Sequence, residues 1–200
     1  MSKYLCLLVL FASCTNQFKA WQATATANAA LHTIFAGHKK SKVFNTSFEY
    51  KEYFVSGLMV LKPVSEDTFR VVFTTKTGQT LLDGALTVDK FDVLKVVQQL
   101  DRKLLLNLIA NDLRLICFAT ANAIRTFEDA SGRQMLRTKS PKGYLYYLFD
   151  ANAKNYHKII RGSKRRKKVI VDLENYKNDF PEKITFAHQN FALTIAMKLL

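Results

Sequence analysis

Residues 56–86 read SGLMVLKPVSEDTFRVVFTTKTGQTLLDGAL, and their apolar side chains recur at every second position between short turn signals. Phe69, Val71 and Phe73, then Leu82, Gly84, Leu86 and Val88, fall on one face, while Arg70, Thr74, Lys76, Gln79 and Asp83 alternate with them. A period of two sends successive side chains to opposite sides of a strand, so this stretch predicts antiparallel strands with one apolar and one polar face. Glu66-Asp67 and Thr77-Gly78 supply the turns.

The same pattern extends outward in both directions. It begins with VFNTSFEY (43–50) and YFVSGLMVLKP (53–63) and runs to FDVLKVV (91–97). It returns as YLYYLFD (144–150), NAKNYHKIIRG (152–162), KKVIVDLENY (167–176), KITFAHQ (183–189) and FALTIAMKLL (191–200), with Pro181 fitting only the start of a strand or a sheet edge. Residues 20–35 are Ala-rich and predict either a helix or an irregular lead-in, and residues 120–143 read as a looser connection. The apolar sheet face needs a cover. Residues 101–118, DRKLLLNLIANDLRLICF, supply one: Leu104, Leu105, Leu108, Ile109 and Ile116 recur near helical spacing, with Asp101 as the expected N-cap. The predicted class is mainly β (α+β), with about ten strands and one main helix. Strand-helix alternation, and with it a doubly wound α/β fold, is missing from the pattern.

Two hundred residues, 48% of them apolar, suffice for one domain with one core. Thirty Lys and Arg against sixteen Asp and Glu leave a formal charge of +14, which favours anionic partners. Residues 1–13, MSKYLCLLVLFAS, read as a signal peptide with one Lys, an apolar run from Tyr4 to Phe11 and small residues before Cys14. Eight apolar residues rise only about 12 Å as a helix against about 30 Å of bilayer hydrocarbon, too short for a span. Phe11-Ala12-Ser13-Cys14 resembles a bacterial lipobox, which makes Cys14 the expected lipidation site and residues 14–22 a lipidated N-terminus and tether. Cleavage after Ala20 of an ordinary secretory signal is the alternative. Once the leader is removed and Cys14 acylated, Cys117 alone remains as a thiol, expected to be buried and inert within LRLICF.

Residues 56–86, the helix RKLLLNLIANDLRLI (102–116) and the closing hairpin FPEKITFAHQNFALTIAMKLL (180–200) together resemble the LolA/LolB-type lipoprotein-carrier fold, and small outer-membrane lipoproteins of the Bacteroidetes type. The resemblance covers most of the chain after residue 43 and implies a domain over residues 23–200. It implies a strongly curved antiparallel half-barrel with a helix packed on its concave face and an apolar cavity between them. In the best-known members that cavity accepts acyl chains of lipoproteins. A groove for such a chain needs apolar lining above all, each buried methylene contributing about 0.8 kcal/mol. The expected lining is Phe69, Val71, Phe73, Leu82, Leu86, Leu104, Leu108, Phe186, Leu193 and Ile195, and the same residues would equally make a filled core. The membrane-bound carrier's protruding apolar loop is not assigned to any segment.

Arg161, Lys164, Arg165, Arg166, Lys167 and Lys168 place six cations in eight residues between two predicted strands. From Arg133 to Lys177 there are 13 basic and 3 acidic residues, so ten of the excess charges lie in this stretch. On an exported, membrane-tethered domain such a hairpin meets anionic headgroups, whereas its plain alternative is a solvated turn that prevents edge pairing. A nucleic-acid partner is not expected. His32, His38, His157 and His188 are scattered, with no His-Glu-x-x-His and no Cys-x-x-Cys. There is no Gly-x-Ser-x-Gly elbow, Gly162-Ser-Lys lacks the preceding Gly of a phosphate loop, and Asp83, Asp89 and Asp92 fit turn and strand-face positions. The expectation is therefore a non-enzymatic, monomeric outer-membrane lipoprotein of the bacterial envelope, facing the periplasm, with no cofactor or metal. Its ligand is an acyl chain or another apolar molecule; the alternative is an envelope adaptor that binds a protein or anionic lipid through its basic face.

Overall fold

In the computed structural model, which describes residues 20–27, 31–118 and 124–200, the two strand runs form one antiparallel sheet. The first run is a meander of β2 (Lys42–Tyr50), β3 (Tyr53–Ser65), β4 (Thr68–Thr74), β5 (Thr80–Thr87) and β6 (Phe91–Val96), and it ends at helix α1 (Lys103–Cys117). The second comprises β7 (Ile124–Glu128), β8 (Gln134–Ser140), β9 (Gly143–Phe149), β10 (Lys158–Gly162), β11 (Lys167–Lys177), β12 (Phe180–His188) and β13 (Leu193–Leu199). The last strand returns to the first run, with Leu193 opposite Tyr50 and Leu199 opposite Phe44. That pairing fuses the meanders into the order β1-β7-β8-β9-β10-β11-β12-β13-β2-β3-β4-β5-β6, where β1 is Gln22–Ala27. The edges β1 and β6 stay apart, so the sheet is a half-barrel rather than a closed barrel.

Thirteen described strands replace the expected ten. Gln22–Ala27 is a strand on β7 rather than a helix or an irregular lead-in, and the supposed loose stretch contains β7 and β8. Local propensity hid them: QATATA is Ala-rich and QMLRTKS mostly polar, and both are held by neighbouring backbones. Two strand glycines mark where backbones crowd in the curved sheet. A Cβ on Gly57 would collide with the Thr74 carbonyl, and one on Gly84 would lie 2.8 Å from the Phe91 ring. Pro181 sits as expected at the start of a strand, second in β12.

Helix α1 lies on the concave face, burying Ile109, Leu113 and Ile116 at three- and four-residue spacing. Its N-cap is Arg102 in extended conformation with no side-chain cap, not Asp101. The backbone there is held instead by a tight turn in which the Asp101 and Arg102 amides donate to the Val97 and Leu100 carbonyls. Residues 31–38 form a second cover. Phe35 stands edge-on between Phe69 (5.0 Å) and Phe180 (5.3 Å), and the Thr33 hydroxyl donates to the Ile116 carbonyl at the end of α1.

Candidate functional site

Of the ten residues expected to line a cavity, Phe69, Val71, Phe73, Leu82, Leu86, Phe186, Leu193 and Ile195 do share the concave face, all buried in one cluster with α1. Leu108 packs at its edge, half-buried. Leu104 does not join them: it is 73% exposed. Five residues before Ile109 places it roughly 140° around the helix axis from the buried stripe, whereas Leu105, Leu108, Ile109 and Ile116 keep the expected spacing.

A cavity opens at one end of the half-barrel, under residues 31–36. It has a volume of about 370 Å³ and is lined by Leu31, Ile34, Leu136, Phe149, Tyr156 and Tyr176, with His32, Thr33, Lys154, Asn155 and Asp179 among its polar neighbours. None of the ten expected residues lines it. This size falls within the range of small-molecule sites, about 300–1,000 Å³. Its two phenols are tied to the frame: Tyr176 donates to the Tyr156 carbonyl at 2.7 Å, and Tyr156 to the His32 carbonyl at 3.3 Å. Burial raises the pKa of both, so they remain neutral hydrogen-bonding groups. Local pattern carries little sign of this end, because Leu136 lies in the loose stretch and Leu31 and Ile34 in the ambiguous lead-in.

A buried polar cluster fixes α1 to the sheet. Asp112, wholly buried on the helix, faces His188 Nε2 of β12 at 2.6 Å and receives a charge-assisted hydrogen bond from Arg161 Nη2 of β10 at 3.3 Å. Arg161 Nη1 also donates to the Asn111 carbonyl at 3.2 Å. Burial lowers the Arg161 pKa while Asp112 opposes the shift. Arg161 is thus a core residue, 9% exposed, and not part of the basic surface to which the charge run assigned it. On strand β10 its side chain points to the concave face, as the neighbouring Ile159 does, and there it meets the helix carboxylate. Sequence spacing offered no sign of this cluster, whose members are 49 and 76 residues apart.

The rest of the run behaves as a turn. Ser163 N donates to the Arg166 carbonyl at 2.8 Å, while Ser163 Oγ accepts the Arg165 and Arg166 amides at 3.2 and 2.9 Å. Lys164, Arg165, Arg166 and Lys168 are exposed, with Lys167 half-buried. A different exposed feature is the start of β3 beside the β2–β3 turn, where Tyr53 and Phe54 are 72% and 65% exposed.

Other candidates disperse. Asp83 forms an ion pair with Arg70 on the outer face at 2.5 Å, and Asp89 and Asp92 are exposed. Cys117 is buried, with its thiol pKa pushed up by desolvation. Among the described residues no group of three His, Cys, Asp or Glu side chains is placed to hold a metal, and no helix is long and apolar enough to cross a membrane. Residues 1–13 and Cys14, the expected signal and lipidation site, lie outside the described residues.

No protein-family model and no curated protein matches this chain. Solved structures do. A LolA superfamily protein from Nitrosomonas europaea is similar over 82% of this chain and 85% of its own, at 11% identity and a TM-score of 0.54. A domain from Vibrio parahaemolyticus, described as an outer membrane lipoprotein-sorting protein, covers 80% of this chain and 83% of its own at 8% identity and a TM-score of 0.43. With its open antiparallel sheet and the helix on the concave face, the chain has the fold of the LolA superfamily.

Proposed function

We propose that this chain is an outer-membrane lipoprotein, anchored through Cys14 and facing the periplasm, that binds an acyl chain or a similar apolar ligand during envelope lipoprotein or lipid traffic. The observation that carries the reading is the cavity of about 370 Å³ at the end of an apolar concave face, in a fold shared with the LolA superfamily. Its walls offer aliphatic and aromatic surface with two neutral phenols, and its charged members Lys154 and Asp179 pair with each other at 2.6 Å, a lining compatible with a chain of methylenes. Residues beneath α1 extend the same apolar surface inward.

A second reading has its own support. The eight concave side chains named above are buried against α1 with little exposure, as in a filled core. An adaptor of this fold would bind its partner through the outer surface. Native mass spectrometry separates the two readings. The chain is secreted with Cys14→Ser behind a cleavable leader and purified without detergent. A carrier shows extra mass resolving to acyl-containing species, and Leu136→Trp, which fills the cavity, reduces that fraction. A clean apo mass from both proteins rejects the carrier and favours the adaptor.

A further inference from the structure

The convex face of the half-barrel holds a second, smaller hydrophobic cluster: Met135, Tyr146 and Ile160 are buried there, flanked by Trp21, Phe127 and Tyr144. Around it basic residues predominate, the one ion pair beside Trp21 being that of Arg133, 5.9 Å from its ring centroid, with Asp129. Arg125 of β7 stands directly opposite Arg137 of β8. Like charges opposed across a strand pair are destabilising, and neither arginine forms an ion pair among the described residues. Arg137 is held in place by aromatic rings instead, 4.8 Å from the centroid of Phe127 and 5.2 Å from that of Tyr144. The basic turn belongs to the same surface, because Tyr146, rooted in the convex cluster, donates its hydroxyl to the Ser163 carbonyl at 3.2 Å. Lys164, Arg165 and Arg166 therefore sit at one end of a strip whose other end is Trp21. At the far end of β10 from the basic turn, Lys158 is paired with Asp172 at 3.0 Å and adds no free charge.

We infer that this strip, from Trp21 through Arg125 and Arg137 to the Lys164–Arg166 turn, is a docking face for the surface of an anionic lipid bilayer. Charge complementarity selects the partner: fixed cations attract acidic headgroups, and aromatic rings with polar edges favour the headgroup level. The path of the chain agrees. Trp21 lies seven residues after Cys14, a span of at most about 25 Å, so an anchor at Cys14 leaves the fold beside this strip and holds the half-barrel on its side. The inference goes beyond the acyl-chain reading and fails separately from it, since the cavity and the strip lie on opposite faces of the sheet.

Trp21 is the chain's one tryptophan, which makes its fluorescence a reporter of this face. The full chain is reconstituted into phosphatidylcholine vesicles with brominated acyl chains, with and without phosphatidylglycerol. Quenching of Trp21 is expected to rise when phosphatidylglycerol is present and to fall on adding salt. It is expected to drop to the phosphatidylcholine level in R125Q/R137Q and in K164Q/R165Q/R166Q, whose circular dichroism should match the parent because every substituted side chain is exposed or half-buried. Quenching that is equal in both lipids, or unchanged in both variants, overturns the inference and leaves the anchor alone to explain any contact. So does a loss of heparin binding in the variants with vesicle quenching intact, which would point to a polyanion other than lipid.

Discussion

Replacing Asp112 with Ala should cost more than replacing any surface carboxylate, because it strands two buried donors at once. Arg161 retains only 11% of its side-chain exposure and His188 only 1%, so water cannot take over from the missing carboxylate without the helix lifting from the sheet. Removing one partner of a buried ion pair typically costs about 3–5 kcal/mol, most of it the penalty on the charge left behind. Against a total stability of about 5–15 kcal/mol that is a severe loss. With an m-value of about 2 kcal/mol/M, the urea midpoint should fall by about 2 M. Equilibrium unfolding followed by circular dichroism measures it. The triple variant D112L/R161M/H188L should recover most of the loss, since apolar groups of similar volume can replace a buried ionic cluster at little cost. His188→Leu alone leaves the Arg161–Asp112 pair intact and should cost about 1–3 kcal/mol, as for one buried hydrogen bond left unmade. A loss below about 1 kcal/mol for Asp112→Ala would refute the reasoning, showing that solvent reaches the cluster. A triple variant as unstable as the single one would show that shape, not charge, holds α1.

Two further predictions rest on burial and on local hydrogen bonding. Phe186→Ala, at a fully buried position, should cost about 3–5 kcal/mol, whereas Leu104→Ser on the exposed side of α1 should stay within about 0.5 kcal/mol of the parent; similar losses at both would contradict the helix phase. The Asp129 carboxyl is pulled from the ordinary 3.8 to about 2, first by the Ser131 hydroxyl and then by Arg133. Because this pKa is lowered on folding, its contribution is complete above about pH 4 and is lost as pH falls through about 2. The Ser131 and Arg133 amides, each 3.0 Å from Asp129 Oδ1, should titrate with that midpoint in NMR spectra, and a midpoint near 4 would refute it.

What the sequence disclosed follows from which interactions are local. Alternation in residues 56–86 is set by which side of a strand each residue occupies, so the faces of β4 and β5 could be read directly, with Arg70 and Asp83 outside and Phe69, Phe73, Leu82 and Leu86 inside. Val88 departs from that face only because β5 has ended at Thr87, and it is 56% exposed. The strands β1, β7 and β8 were illegible for the opposite reason: their pairing energy resides in partners distant in sequence, as where Ala27 meets Ile124. The buried polar cluster beneath α1 was hidden in the same way. A lone Asp in an amphipathic helix, an Arg in a charge run and a His near the C-terminus carry no common signature until β10 and β12 bring the last two beneath the first.

The net charge of +14 is distributed as a pattern rather than evenly over the surface. Several acids are engaged locally, Asp83 by Arg70, Asp129 by Arg133, Asp172 by Lys158, Glu174 by Lys183 and Asp179 by Lys154, and Asp112 is inside the core. Arg125, Arg137, Lys164, Arg165 and Arg166 form none of these ion pairs, so five uncompensated cations lie on the convex strip. Its members are neighbours in a tight turn or across one strand pair, within the Debye length of about 8 Å at physiological ionic strength. Their mutual repulsion therefore opposes folding at low salt, and their attraction to acidic headgroups favours docking under the same conditions. Added salt should act on the two processes with opposite signs, raising the urea midpoint of the free chain while releasing Trp21 from anionic vesicles. In K164Q/R165Q/R166Q both salt effects should shrink together. If the variant lost the vesicle response but kept the full stabilisation by salt, the repulsion would have to arise elsewhere on the molecule.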